Sequence, residues 1–167
     1  MTAKQKTNSM RLLDARRVPY QAYEFSPDIH SAEGVAEVLG VPAAQVFKTL
    51  VVVRERGRPM LVMLPGGTAL DLKLLAPAVG EKSLRMATHR EAESITGLQV
   101  GGISALSLVA KGFDVYADEA ILSLPEVYVS AGRRGTNLRM RPSDLLQVTK
   151  ARTVRVARAE NKGKEEG

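Results

Sequence analysis

The 167-residue sequence contains no cysteine and no tryptophan, and only 4% of its residues are aromatic. The absence of cysteine excludes disulfides, thiolate metal ligands and a cysteine nucleophile. The scarcity of aromatic residues leaves Val, Leu, Ile, Ala and Met to build the core, which favours a sheet-rich domain. Long apolar runs are also missing, since no stretch reaches the length of a membrane span or of a signal-peptide core. We therefore expect a soluble, cytoplasmic protein that does not enter a membrane.

Length and charge favour a single domain with a polyanionic partner. One hydrophobic core can grow to this size, so we predict one domain over residues 1–158 and a charged, disordered tail over residues 159–167. The formal charge of +6 favours contact with phosphates, because each neutralised phosphate releases counterions. A solvated tail explains part of the excess equally well. The basic residues concerned are Arg152, Arg155, Arg158, Lys162 and Lys164.

Hydrophobic periodicity and turn residues predict a mixture of helices, strands and hairpins. Helices are predicted over residues 8–17 (with Asn8 or Ser9 as the cap), 31–40, 71–79, 88–96 and 142–148. Strands are predicted over residues 20–25, 46–53, 60–64, 113–117, 126–130, 138–140 and 153–157. We therefore expect an α+β fold whose sheet is mixed or mostly antiparallel.

Lys48 is the most informative single residue, because it lies in the strongest predicted strand, over residues 46–53. Alternation places it on one face with Val46, Leu50 and Val52, and both faces of the strand are apolar. A lysine at such a position either carries an exposed ammonium to the rim of the sheet or lies in a cleft. In a cleft, a negative group or a polarised carbonyl must compensate the positive charge of the ammonium.

Two glycine-containing loops are candidates for anion binding. The pair Gly101 and Gly102 lacks side chains, so its backbone N–H groups could bind an oxyanion or a phosphate, although a plain tight turn is the commoner use. The loop over residues 130–135 offers Arg133 and Arg134 for phosphate contacts, although solvated loop arginines are more common.

Several kinds of chemistry have no support in the sequence. His30 and His89 are the only histidines, and neither has carboxylates at metal-ligand spacing, so we predict no metal and no cofactor. We expect His89 to lie on the surface. The sequence has no Gly-x-Ser-x-Gly elbow and no phosphate-loop motif. Any reaction must therefore run without an obvious protein nucleophile.

Three segments, in this order and spacing, resemble the YbaK/prolyl-tRNA synthetase-associated family of editing domains. They are residues 46–50 (VFKTL), 100–104 (VGGIS) and 128–135 (YVSAGRRG). The resemblance extends from about residue 20 to about residue 156. It implies a compact α+β fold with a central mixed, partly barrel-like sheet flanked by helices. It also implies an enzyme that deacylates mischarged tRNA, typically cysteine on proline-accepting tRNA, without a metal.

The resemblance further implies roles for individual residues. Lys48 is expected to hold the substrate's ester or terminal phosphate region, while Gly101 and Gly102 present backbone donors; these three form the predicted catalytic set. The predicted substrate-binding set is Tyr23, Thr49, Ile103, Ser104, Ser130, Gly132, Arg133, Arg134 and Asn137. The implied partner is the acceptor end of aminoacyl-tRNA, with a prolyl-tRNA synthetase as a second candidate.

The absence of a protein nucleophile fits this family. In its cysteine-editing members the substrate's own thiol attacks the ester carbonyl, which releases a cyclic thiolactone and free tRNA. Relatives that remove alanine activate water instead. The sequence departs from the family at Asn137, where an aspartate is common, at His30 and Ser31, where an aromatic residue is expected, and at Ala105, which replaces a proline.

These departures leave the amino-acid specificity open. Two alternatives to a Cys-tRNA deacylase also stay open. One is a non-catalytic RNA-binding module on the same scaffold, and the other is a hydrolase of some other acylated or phosphorylated small molecule.

Overall fold

The computed structural model describes residues 5–160, which form five α-helices and ten strands. The helices are α1 (Asn8–Ala15), α2 (Ala32–Leu39), α3 (Leu72–Ala78), α4 (His89–Thr96) and α5 (Pro142–Thr149). The strands are β1 (Gln21–Glu24), β2 (Phe47–Arg54), β3 (Met60–Pro65), β4 (Thr68–Leu70), β5 (Leu84–Met86), β6 (Asp114–Asp118), β7 (Val127–Ser130), β8 (Thr136–Met140), β9 (Arg152–Val154) and β10 (Ala157–Ala159). Short 3₁₀ turns occur at Ala43–Gln45, Leu106–Lys111 and Glu119–Ser123.

A five-stranded sheet of order β5-β2-β3-β6-β9 forms the centre of the molecule. β2 pairs antiparallel with β3 and β5, whereas β6 pairs parallel with β3 and β9, so the predicted mixed sheet is confirmed. A second sheet has the antiparallel order β1-β8-β7, and β4 pairs with β10. A parallel bridge between Val46 and Tyr128 joins the first two sheets. Within residues 5–160 the strands do not close into a barrel.

The two faces of β2 pack against different parts of the core, as the alternation predicts. Phe47 and Val51 belong to the larger buried cluster, which includes side chains from α1, α4 and α5. Val52, with Leu50 packed beside it, belongs to a smaller cluster that includes Leu75 of α3. Burial of such aliphatic side chains stabilises the fold by about 1.5–3 kcal/mol each.

The predicted starts of the four later helices are confirmed, whereas the predicted cap of the first helix is corrected. Ser31 caps α2 through its hydroxyl, and Thr88 forms a capping box with Glu91 at the start of α4. Thr7, and not Asn8 or Ser9, caps α1. The reason is that Ser9 lies inside the helix, where its buried hydroxyl donates to the carbonyl oxygen of Ala131 at 2.6 Å.

The single strand predicted over residues 153–157 is wrong, because β9 and β10 lie in different sheets. The carboxylate of Asp118 accepts the N–H groups of Val156 at 3.0 Å and Ala157 at 2.8 Å, and these bonds hold the chain where the two strands separate. Ala159 ends β10, so ordered structure passes the predicted boundary at residue 158. Residues 161–167 of the predicted tail lie outside the described residues. From residue 5 to residue 160, no helix has the length and apolar character needed to cross a membrane.

Candidate active site

A cavity of about 430 Å³ lies along an open edge of β2. β5 pairs only with the end of β2, from Val52 to Arg54, so within residues 5–160 no strand pairs with the edge from Phe47 to Leu50 on this side. Six of the predicted site residues line this cavity, namely Lys48, Thr49, Gly101, Ile103, Ser130 and Asn137. The fold thus brings together residues from three distant parts of the sequence.

The backbone of β2 directs polar groups into the cavity. The carbonyl oxygen of Val51 accepts the N–H of Ala87 at 3.0 Å, so Val51 points its peptide groups toward the β5 side. Peptide groups of alternate residues in a strand face the same edge. Thr49 therefore presents its own N–H and C=O at the open edge, where both groups can bind a ligand.

Lys48 lies in a cleft in which both kinds of compensating group are present. Its Nζ donates to the carbonyl oxygen of Thr68 at 2.6 Å and lies 3.7 Å from Oε1 of Glu160. The pairing of β10 with β4 sets Ala159 opposite Thr68, and this register brings Glu160 to the lysine. The Lys48 side chain is 25% exposed and that of Glu160 is 29% exposed, so a ligand can reach the ammonium.

The two glycines of the predicted donor pair have different structural roles: Gly101 lines the cavity, and Gly102 closes a turn. Gly101 lines the cavity with φ +92°, and a Cβ there would lie 2.3 Å from the Cβ of His30, so only glycine permits this close approach. The N–H of Gly102 donates to the carbonyl oxygen of Gln99 at 2.8 Å. Gly102 therefore closes a turn, and in this structure its N–H is directed at the protein itself.

The loop arginines contact the protein itself. Nε of Arg134 donates to the carbonyl oxygen of Val100 at 2.7 Å. Arg133 donates to the hydroxyl of Thr136 at 3.0 Å and to the carbonyl oxygen of Gln5. Neither arginine lines the cavity. Their guanidinium groups hold the loop in place at the edge of the site.

The remaining predicted residues support the walls of the cavity. The hydroxyl of Ser130 accepts the N–H of Gly132 at 3.1 Å, and Ser104 is buried with its hydroxyl accepting the N–H of Ser107 at 3.2 Å. Gly132 and Ser104 are absent from the lining. They act on the cavity by shaping the loop behind it.

Tyr23 also lies behind the cavity. Its ring is 5.8 Å from that of Tyr128, and the guanidinium of Arg139 lies 5.7 Å from the ring centre. In the register of β1 and β8, Tyr23 is opposite Asn137, whose side chain is buried and lines the cavity.

Three further ionisable residues line the cavity, and none of them belongs to the predicted catalytic or substrate-binding sets. They are His30, Glu33 and His89. Oε1 of Glu33 accepts the N–H of Gly67 at 2.6 Å, whereas the two histidines are exposed at the mouth. The sequence predicts a helix from residue 88, but it does not show what the first turn of that helix faces. Residues 5–160 contain no group of three or more His, Asp or Glu side chains arranged to hold a metal ion.

Comparison with known sequences assigns the chain to a described family. The model of the aminoacyl-tRNA editing domain matches residues 26–148. A protein of Enterococcus faecalis named "Putative Cys-tRNA(Pro)/Cys-tRNA(Cys) deacylase EbsC" is 39% identical over 158 residues, which are 93% of this chain and 96% of that protein. A proline–tRNA ligase of Thermodesulfovibrio yellowstonii is 38% identical over 77 residues, which are 46% of this chain but 13% of the ligase.

Solved structures show the same fold. One of them, described as "Crystal structure of a putative trans-editing enzyme for prolyl tRNA synthetase", has a TM-score of 0.77 and 27% identity, and the match covers 93% of this chain and all of that one. Another, a hypothetical protein, has a TM-score of 0.84 and 25% identity, over 90% of this chain and 99% of that one. The predicted fold class is confirmed.

Proposed function

The chain belongs to the aminoacyl-tRNA editing domain family, and from that membership we propose that it deacylates mischarged tRNA, with cysteine on proline-accepting tRNA as its main substrate. The observation that carries this proposal is the convergence of Lys48, Thr49, Gly101 and Asn137 on one cavity of about 430 Å³. A cavity of this size suits a small ligand or the end of a larger one. The acceptor end of tRNA is the proposed partner, and a prolyl-tRNA synthetase is a candidate for delivering it.

Lys48 is the proposed electrostatic centre of the reaction. An ammonium has three N–H donors, and Thr68 takes one of them. The ion pair with Glu160 is longer than a hydrogen bond and part-exposed, so it contributes on the order of 0.2–1 kcal/mol and is easily displaced. The ammonium can then meet the negative oxygen that develops on the ester carbonyl, or the phosphate next to it.

Thiol-assisted cleavage of the ester requires no protein nucleophile. The sulfur of the cysteinyl group attacks its own ester carbonyl carbon, so that a C–S bond forms and the bond from that carbon to the ribose oxygen breaks. The thiol proton ends on the ribose hydroxyl, and the products are a cyclic thiolactone and uncharged tRNA. The protein contributes position and charge stabilisation, because Lys48, Thr49 and Gly101 line the same space.

A second candidate is water-dependent removal of alanine. The observation in its favour is that His30 and Asn137 line the cavity, where the family pattern has an aromatic residue and an aspartate. A neutral imidazole can accept a proton from an attacking water near pH 7. Alanine carries no thiol, so its removal depends on such a base.

The test is a deacylation assay with wild-type protein on proline-accepting tRNA charged with cysteine, alanine or proline. We expect fast release of cysteine as the thiolactone, slow release of alanine and none of proline. Fast release of free alanine supports the water-dependent route. Tight binding of charged tRNA without release contradicts both routes and favours the non-catalytic RNA-binding module. Equal activity on a free aminoacyl ester favours a small-molecule hydrolase.

A further inference from the structure

A second cavity, of about 520 Å³, lies at the opposite edge of the five-stranded sheet. Its apolar floor includes Leu108 and Val115 together with Val148 of α5, all of them buried. Its rim carries three cationic side chains, those of Arg16, Lys150 and Arg152, which we call the basic corner. The proposed deacylation reaction uses none of these residues.

The basic corner is electrostatically unbalanced. Its three side chains are exposed, and none has a hydrogen bond or an ion pair with another residue in the range 5–160. Asp114 also lines the cavity, but its carboxylate is paired with Arg54. The rim therefore offers three positive charges to a ligand, because the one carboxylate beside them has a partner already.

Lys150, at the basic corner, has a backbone conformation that strains a residue with a side chain. Arg17 and Lys150 are the two non-glycine residues with positive φ in the described chain, at 58° and 57°. Arg17 follows the end of α1, and Lys150 ends α5. Glycine is the usual residue at such a position because it has no Cβ to strain. A lysine at position 150 indicates a use for its side chain, beyond the favourable interaction of a cation with the end of a helix.

The separation of the two cavities across the sheet sets the minimum length of a ligand that can reach both. Three inter-strand spacings of about 4.8 Å separate β2 from β9, which is about 14 Å across the sheet. Lys48 is on β2, and Arg152 begins β9. An aminoacyl group is too short to join them, whereas an RNA chain whose end enters the first cavity is long enough to reach the second.

We propose that the basic corner binds backbone phosphates of the tRNA body while the acceptor end occupies the cavity around Lys48. The proposal rests on the proposed function for its choice of RNA as the polyanion. Arginine and lysine bind phosphate oxygens directly, and each such contact releases counterions. This assigns part of the chain's positive charge to ordered structure, since Arg152 belongs to a strand and not to a tail.

The experiment measures binding of uncharged proline-accepting tRNA to the full-length protein over a series of KCl concentrations. One variant combines Arg16→Gln, Lys150→Gln and Arg152→Gln. The control combines Arg56→Gln, Lys73→Gln and Lys82→Gln, which removes the same charge from exposed positions elsewhere. The slope of log K against log [KCl] is negative. We expect the basic-corner variant to reduce its magnitude by about 2 to 3, since each contact contributes about 0.7–0.9. We expect the control to keep the wild-type slope. An equal effect of both variants, or of neither, overturns the proposal.

Two further measurements separate binding from folding and from the reaction. Lys150→Gly relieves the strained backbone, so it should keep or raise the Tm and yet weaken tRNA binding. Unchanged binding by Lys150→Gly contradicts the role of its side chain. The basic-corner variant should also deacylate a short aminoacylated CCA oligonucleotide at the wild-type rate. If the wild type deacylates nothing, the proposed function fails, while the salt slopes still decide whether this corner binds RNA.

Discussion

The arginine side chains of two regions of this protein have different functions. In the loop before β8, Arg133 and Arg134 donate to hydroxyl and carbonyl oxygens of the chain and hold the wall of the candidate active site. At the basic corner, Arg16 and Arg152 have no such acceptors within residues 5–160. A guanidinium already bound to the protein stabilises the fold, whereas one without a partner can bind a phosphate. Arginine therefore has a structural role in the loop before β8, whereas at the basic corner its guanidinium is available to bind a ligand.

The largest effect is expected where the loop that carries Arg133 and Arg134 packs against Gly102. A Cβ at Gly102 would lie 2.8 Å from the backbone of Arg133 and Arg134, so Gly102→Ala must push two loops apart. We expect the free energy of unfolding to fall by about 2–3 kcal/mol in urea denaturation. Gly57→Ala is the control, because nothing lies within 4 Å of a Cβ there and the cost of its positive φ is about 1 kcal/mol. Equal losses contradict a packed loop.

A smaller effect on stability is expected from a direct comparison of one arginine in the loop before β8 with one arginine at the basic corner. Arg134→Met keeps an apolar stem but removes the charged hydrogen bond to Val100, so we expect a loss of about 1.5 kcal/mol in the free energy of unfolding. Arg152→Met removes no internal contact and should change that free energy by less than about 0.5 kcal/mol. If both variants are equally stable, the contrast between bound and unpaired arginines fails.

The smallest effect concerns a third kind of charge, a carboxylate that is paired but exposed. The guanidinium of Arg85 and the N–H of Thr88 hold the pKa of Glu91 well below its usual range, at about 2. Because the folded pKa lies below the unfolded value near 4.5, Glu91 stabilises the fold above pH 4.5, and this stabilisation is lost as the pH falls toward 2. The difference in Tm between wild type and Glu91→Gln should shrink across this window. A constant difference contradicts the pairing.

Local features of the fold could be predicted from the sequence because their chemistry is local. The starts of α2 and α4 were predicted from nearby residues, and the caps Ser31 and Thr88 confirm them. The three-residue strands β4 and β5 were not predicted, because such short strands are defined by their pairing with distant residues. The site likewise has features that nearby residues reveal and features that depend on distant residues. Lys48 was found from the unusual position of a lysine in an apolar strand.

The residues that sequence reasoning missed depend on tertiary register. Glu160 was assigned to a disordered tail, yet the pairing of β10 with β4 brings it to Lys48. His30 reaches the cavity because Gly101 leaves room for it. The arginines were identified as candidate phosphate ligands, but no local pattern tells which carbonyl oxygens a folded chain will offer to a guanidinium.

Deacylation in the cavity around Lys48 is tested most directly by a comparison of two lysine variants. The rate of cysteine release from Cys-tRNA(Pro) is measured for wild type, Lys48→Ala and Lys73→Ala, with tRNA binding recorded for each. Lys73 is exposed on α3 and serves as the control for loss of one positive charge. We predict that Lys48→Ala lowers the rate by about 100-fold or more and that Lys73→Ala retains the wild-type rate. A wild-type rate in Lys48→Ala would contradict the assignment of this cavity as the active site.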